Sequence, residues 1–157
     1  MRLVKYIQSH NEIFGLPKDN DLSENDRFQV FSIEDDIKII GFIILDFKKQ
    51  EDKECYLKEI EIIHNKRRLG YGKQSIDILV NYLKNKGIKV IRGIAIFEAI
   101  DFWNYIFKEY NVEKNIIKEC NICRYINKTS CIYNITDTLT SNNICEDFQY
   151  DFLLNIK

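Results

Sequence analysis

Residues 67–72 read Arg67-Arg68-Leu69-Gly70-Tyr71-Gly72, and what flanks them constrains the fold more than any other stretch. Upstream, Cys55 to Ile63 sets apolar Leu57, Ile60, Ile62 and Ile63 among charged Lys58, Glu59 and Glu61, a strand pattern. Downstream, Ile76, Leu79, Val80 and Leu83 fall at i, i+3, i+4 and i+7, which predicts a helix from about Tyr71 to Lys86, stopped by Gly87. Ile88 to Ile96 is then another β-rich run. Strand, turn, helix and strand in succession imply a parallel pair with a right-handed crossover. Two glycines one residue apart permit a tight turn, and the helix behind it points its free N–H groups back at that turn. A phosphate would bind there.

The rest of the chain fits around this unit. Phe28 to Ile33 and Ile37 to Leu45 flank the acidic turn Glu34-Asp35-Asp36, which predicts an antiparallel hairpin. Apart from Lys38, the second run is apolar on both faces, as in a central strand covered on both sides. Cys55 to Ile63 adds a third strand to the meander. Glu98 to Glu109 carries Ala99, Phe102, Trp103, Ile106 and Phe107 at helical spacing. Leu3 to Phe14 is read as a first helix ended by Gly15-Leu16-Pro17, the last being the only proline. Strands are expected around Cys120 to Ile126 and Cys131 to Ile135, and Cys145 to Ile156 reads as a helix or an arm. The fold class is therefore α+β, a central mixed sheet, mostly antiparallel with one parallel pair, flanked by helices. With 157 residues and no linker, a single domain spanning 1–157 is expected.

Composition narrows the function. A net charge of −1 gives no global field, so nucleic acid is not an expected partner. No run approaches the ~18 apolar residues of a membrane span, and the N-terminus lacks the apolar core of a signal peptide, so a cytoplasmic protein is expected. The five cysteines are Cys55, Cys120, Cys123, Cys131 and Cys145. Cys120 and Cys123 have the spacing of half a zinc site, but no second close pair matches it, and no metal is expected.

A dinucleotide motif would need a third glycine where Ser75 stands, and a P-loop would need Ser or Thr after Lys73, where Gln74 stands. The remaining pattern, Arg-x-x-Gly-x-Gly after a strand and before an amphipathic helix, resembles that of the GNAT superfamily of acyl-CoA-dependent N-acyltransferases. Ile60-Glu61-Ile62-Ile63-His64 stands where that family has an apolar alternation ending in Val-x-Pro, with His64 in place of the proline. Ala99-Ile100-Asp101-Phe102-Trp103 looks like its Ala-x-x-Phe-Tyr stretch, and the likeness covers about residues 28–110.

The resemblance implies an acetyl-CoA-dependent N-acetyltransferase acting by direct attack of a primary amine of a small molecule or peptide. It also implies that the parallel pair splays at the cofactor. Main-chain N–H groups of Arg68, Leu69, Gly70, Tyr71, Gly72 and Lys73 would hold the diphosphate of CoA, with Arg67, Arg68 and Lys73 adding positive charge. Ile62 and Ile63 would present backbone groups to the pantetheine arm, and Trp103 stands among the cofactor-site positions. The family's proton-donating tyrosine falls at Trp103, whose indole is too weak an acid; Tyr105 is the nearby phenol but stands about 200° round the helix. Glu59 is the candidate base if a β-bulge turns it to the right face. A non-catalytic acyl-CoA-binding or protein-interaction module is the competing reading, which the missing tyrosine permits. The aromatic-rich segment Phe148 to Leu154 offers a packing surface for a second copy.

Overall fold

The computed structural model describes residues 1–5, 28–36, 38–47, 53–118 and 149–157. Among them are β1 (Arg2–Lys5), β2 (Phe28–Asp35), β3 (Lys38–Asp46), β4 (Glu54–Ile62), β5 (Val90–Ile96), β6 (Asn111–Lys118) and β7 (Gln149–Asn155). Two helices accompany them, α1 (Tyr71–Asn85) and α2 (Ile100–Ile106), with short 3-10 turns at His64–Lys66 and Phe97–Ala99. The strands follow the order β1-β2-β3-β4-β5-β7-β6. β1 to β4 pair antiparallel, as do β6 and β7, and β4 and β5 are the parallel pair connected through α1. The two parallel strands start side by side, where Lys53 O accepts from Lys89 N at 2.6 Å and Val90 N at 3.2 Å. Two compact units make up the described chain, Met1–Ile91 with Ile156–Lys157, and Arg92–Asn155.

In the first unit, α1 buries Ser75, Ile76, Leu79, Val80 and Leu83, the stripe its spacing predicts. Each large apolar side chain so buried contributes ~1.5–3 kcal/mol. Tyr82 shows which sheet face α1 covers: its ring packs on Phe31 with centroids 5.2 Å apart, and its hydroxyl donates to Gln29 Oε1 at 3.1 Å. Phe31 pairs with Ile43 and Gln29 with Leu45, so Ile43 and Leu45 share the helix side. Val30, Phe42 and Ile44 form a separate cluster on the opposite face. β3 is buried from Ile40 to Asp46, as expected of a strand covered on both sides.

β4 is not regular. Ile44 pairs with Glu59 and Leu45 with Leu57, so Lys58 is an extra residue, a β-bulge. Strand side chains alternate with period two, so without the bulge Glu59 would share the helix side with Leu57. With it, Glu59 joins Ile44 and Phe42 on the face away from α1, and Glu61, paired with Phe42, follows. Lys58 sets its ammonium 5.0 Å from the centre of the Phe28 ring. Opposite the end of β4, a Cβ on Gly41 would overlap the Glu61 carbonyl oxygen, so glycine permits this close approach of the two strands.

The second unit is organised around aromatic rings. Trp103 on α2 lies 4.6 Å from Phe152 of β7 and 5.6 Å from Phe107, centroid to centroid, and Phe107 lies 5.0 Å from Phe152. Gly93 of β5 lies beneath the Phe152 ring, which a Cβ there would overlap. β6 and β7 pair from Asn111↔Asn155 to Lys118↔Gln149.

Three sequence expectations change. Leu3 does not begin a helix: residues 2–5 are an edge strand paired with β2 from Arg2↔Glu34 to Lys5↔Phe31, and the rest of that expected helix lies outside the described residues. Within Cys145 to Ile156, residues 149–155 are a strand, because pairing with β6 satisfies their backbone and alternation buries Phe152 and Leu154. The helix expected over Glu98 to Glu109 is shorter, with a 3-10 turn before Ile100 and i→i−3 bonds from Lys108 N to Tyr105 O and Glu109 N to Ile106 O closing it. The strands expected around Cys120 and Cys131, and the four C-terminal cysteines, also lie outside the described residues. No helix among the described residues is long and apolar enough to cross a membrane.

Candidate cofactor and catalytic site

From the end of β4 the chain makes a 3-10 turn, with Lys66 N donating to Ile63 O at 2.9 Å and Arg67 N to His64 O at 3.2 Å. Two residues then take left-handed backbone conformations, Arg68 at φ 62° and Gly70 at φ 85°. Gly70 is the N-cap of α1, and its carbonyl accepts the first helical bond from Gln74 N at 3.1 Å. A Cβ at Gly70 would meet only Gln74 Nε2 at 3.8 Å, so φ rather than crowding favours glycine there. No side chain caps the helix and no acid stands in its first turn. The helix start therefore carries the partial positive charge of its N–H groups without an internal counter-charge from a cap.

Most cations around this turn are already paired. Lys73 Nζ contacts Asp77 Oδ2 at 2.7 Å, Arg67 Nη2 reaches Glu61 Oε1 at 3.5 Å, and Lys66 Nζ stands 3.7 Å from Asp35 Oδ2. Arg68 is exposed and has no ion-pair partner among the described residues. Beside it, Leu69 is 61% exposed.

The backbone at Ile62 and Ile63 is largely committed. Ile63 N donates to Ile40 O at 2.9 Å, Ile63 O accepts from Lys66 N, and Ile62 O accepts from Arg67 Nε at 2.8 Å. In an antiparallel ladder successive residues point their N–H groups to opposite edges, so Ile62 N–H is directed away from β3.

Glu59 and Glu61 are exposed on the same face of β4. The Glu59 carboxyl is held above its ordinary range, first by partial burial and then by the charge of Glu61, with Lys58 opposing. Cys55, buried on the same strand, is pushed up to about 12 by burial and stays a thiol. In the second unit, Trp103 is 4% exposed with its ring against Phe107 and Phe152, whereas Tyr105 is 54% exposed. Thus the first unit brings together the turn, Glu59 and Glu61, while Trp103 and Tyr105 belong to the other.

Sequence reading missed one residue at this turn. The Tyr71 hydroxyl donates to Asp35 Oδ2 at 2.5 Å, across 36 positions of chain. Asp35 read only as a turn residue; nothing local to it signals a contact so distant in sequence.

The model of the acetyltransferase (GNAT) family matches residues 4–104. The chain belongs to that family. Solved structures agree in fold at low identity. The Bacillus subtilis acetyltransferase in complex with CoA superposes with a TM-score of 0.68 at 14% identity, covering 99% of each chain. A GNAT family acetyltransferase from Elizabethkingia anophelis with acetyl-CoA bound gives 0.65 at 16%, covering 99% of this chain and 97% of that one. The Escherichia coli ribosomal-protein-S18-alanine N-acetyltransferase gives 0.59 at 15%, covering 85% and 72%. No curated protein sequence matches significantly.

Proposed function

We propose that the protein transfers an acetyl group from acetyl-CoA to a primary amine of a small molecule or peptide by direct attack of the amine on the thioester. One observation carries this reading: directly after β4, α1 starts at a left-handed glycine with no side-chain cap. Such a start offers N–H groups and a favourable dipole to an anion. Backbone N–H groups from Arg68 to Lys73 bind the diphosphate, and the exposed Arg68 guanidinium, which has no ion-pair partner among the described residues, adds positive charge. The pantetheine arm lies against the edge of β4 that Ile62 N–H faces. Two relatives of the same fold hold CoA and acetyl-CoA.

As the C–N bond forms and the C–S bond breaks, the ammonium gives one proton to a base before attack, the nitrogen loses a second as the amide forms, and the leaving sulfur takes up one, so one proton is released overall. Glu59 is the base, since the bulge puts it on the open face and its raised pKa improves it for that work. Tyr105, with an exposed phenol, is the candidate acid, whereas the buried Trp103 indole packs on Phe107 and Phe152 and transfers no proton. That buried indole, at the position where the family resemblance implies a tyrosine, favours a second reading: a module that binds acyl-CoA without turnover.

Incubation with acetyl-CoA and a panel of amines, with free thiol as readout, separates the two. Amine-dependent thiol release supports the transferase; thermal stabilisation by CoA without release supports the binding module. Gly70→Asp places a carboxylate at the helix start, in open space, where it repels the diphosphate without crowding the fold. It is expected to abolish CoA binding, with a fall in melting temperature corresponding to the ~1 kcal/mol that a non-glycine residue costs in a left-handed conformation, in a protein that still folds. A parent protein that neither releases thiol nor is stabilised by CoA overturns both readings.

A further inference from the structure

The turn that precedes α1 lacks the usual means of holding its shape. There is no capping side chain and no acid in the first helical turn, and two of its residues are left-handed, one of them an arginine. Such conformations persist when surrounding contacts over-determine them. Here the turn is fixed at both ends. At its start Arg67 Nε donates to Ile62 O at 2.8 Å. At its end the Tyr71 hydroxyl donates to Asp35 Oδ2 at 2.5 Å, reaching the tip of the β2–β3 hairpin.

The second anchor would carry a penalty if it stood alone, since a bare carboxylate near a diphosphate repels it. Lys66 removes that difficulty: its ammonium stands 3.7 Å from the same Asp35 oxygen and 5.6 Å from the centre of the Tyr71 ring. The three side chains form one polar clamp with its charges balanced.

We infer that Tyr71, Asp35 and Lys66 are positioning residues that preset the turn for acetyl-CoA, tying the anion-binding start of α1 to the β2–β3 hairpin. This rests on the reading of the turn as the CoA site. A preset turn binds more tightly because less ordering remains to be done when the ligand arrives.

Calorimetric titration of CoA into the parent protein, Tyr71→Phe, Asp35→Ala, Asp35→Asn and the double variant Tyr71→Phe/Asp35→Ala tests it. Tyr71→Phe, which leaves the Asp35–Lys66 pair in place, is expected to weaken binding about tenfold, the scale of one charge-assisted hydrogen bond, and Asp35→Ala to weaken it by less, because it also frees the Lys66 ammonium to attract the diphosphate. The double variant should be no weaker than either single one, because both remove the same bond. Asp35→Asn keeps an acceptor for the tyrosine and should recover part of the affinity, which a general loss of packing does not predict. A parent that binds CoA, with single variants that bind equally well or whose losses multiply in the double variant, overturns the clamp alone. A parent that binds no CoA overturns the reading of the turn, and the clamp with it. Tyr71→Phe keeps the ring, so the comparison survives if Asp35→Ala fails to fold.

Discussion

At the turn between β4 and α1 the contacts are directional hydrogen bonds and ion pairs open to water, whereas around Trp103 ring lies against ring with almost no exposure. The difference fits the role proposed for the turn. If it holds a diphosphate, its N–H groups must stay uncovered, so it can be held only from its edges by side chains such as Arg67 and Tyr71. A short helix such as α2, seven residues long, is too brief to be stable by its own hydrogen bonds and must be held by packing. Trp103, Phe107 and Phe152 supply that packing.

The contrast can be broken or sharpened by substitution. Trp103→Ala should cost the most, about 3–5 kcal/mol, since truncating a buried aromatic loses both burial and packing; urea unfolding measures it, and a cost under 1 kcal/mol would mean that the cluster does not hold α2. Glu59→Gln comes next, with an expected fall of about a hundredfold in kcat/KM, or ~2.7 kcal/mol of barrier. Its pH dependence has a definite sign. Because the folded Glu59 is raised above its ordinary value, it favours the folded state at low pH and loses that contribution as pH rises through the folded value. Activity runs the other way, rising as Glu59 ionises, and this limb should vanish in Glu59→Gln.

Gly93→Ala should follow, at about 1–3 kcal/mol, because its methyl group intrudes on the Phe152 ring. Combining it with Phe152→Leu should recover part of the loss; full additivity of the two costs would show that they do not meet. The smallest effect is expected at Arg68→Gly. Relief of the left-handed arginine should add about 1 kcal/mol of stability, yet CoA affinity should fall and become less sensitive to salt. Salt titration of the dissociation constant reads this directly.

The parts that were legible in sequence are those fixed by local pattern. Ile76, Leu79, Val80 and Leu83 announce α1, and Gly70 and Gly72 announce the turn before it. What was not legible depends on partners far along the chain. Gln149–Asn155 gives a weak strand signal because Phe152, Leu153 and Leu154 run together and blur the alternation. Its partner β6 begins 44 residues earlier, at Asn111 opposite Asn155. Leu3 and Val4 looked helical for a similar reason: only pairing with Ile33 and Ser32 of β2 makes them a strand. At the candidate site, the glutamates were visible as residues but not as a face. Their direction depends on Lys58 standing outside the pairing with β3, and register is a property of two strands together.

That extra residue also makes an unusual kind of variant informative. Lys58 has no opposite number on β3, so a chain lacking it could retain the pairing of Leu57 with Leu45 and of Glu59 with Ile44. The shortened β4 would be straighter, and its glutamates would still emerge from the same face. Deletion of Lys58 thereby separates the orientation of the carboxylate from the bend in the strand that carries it, a separation that no side-chain substitution achieves.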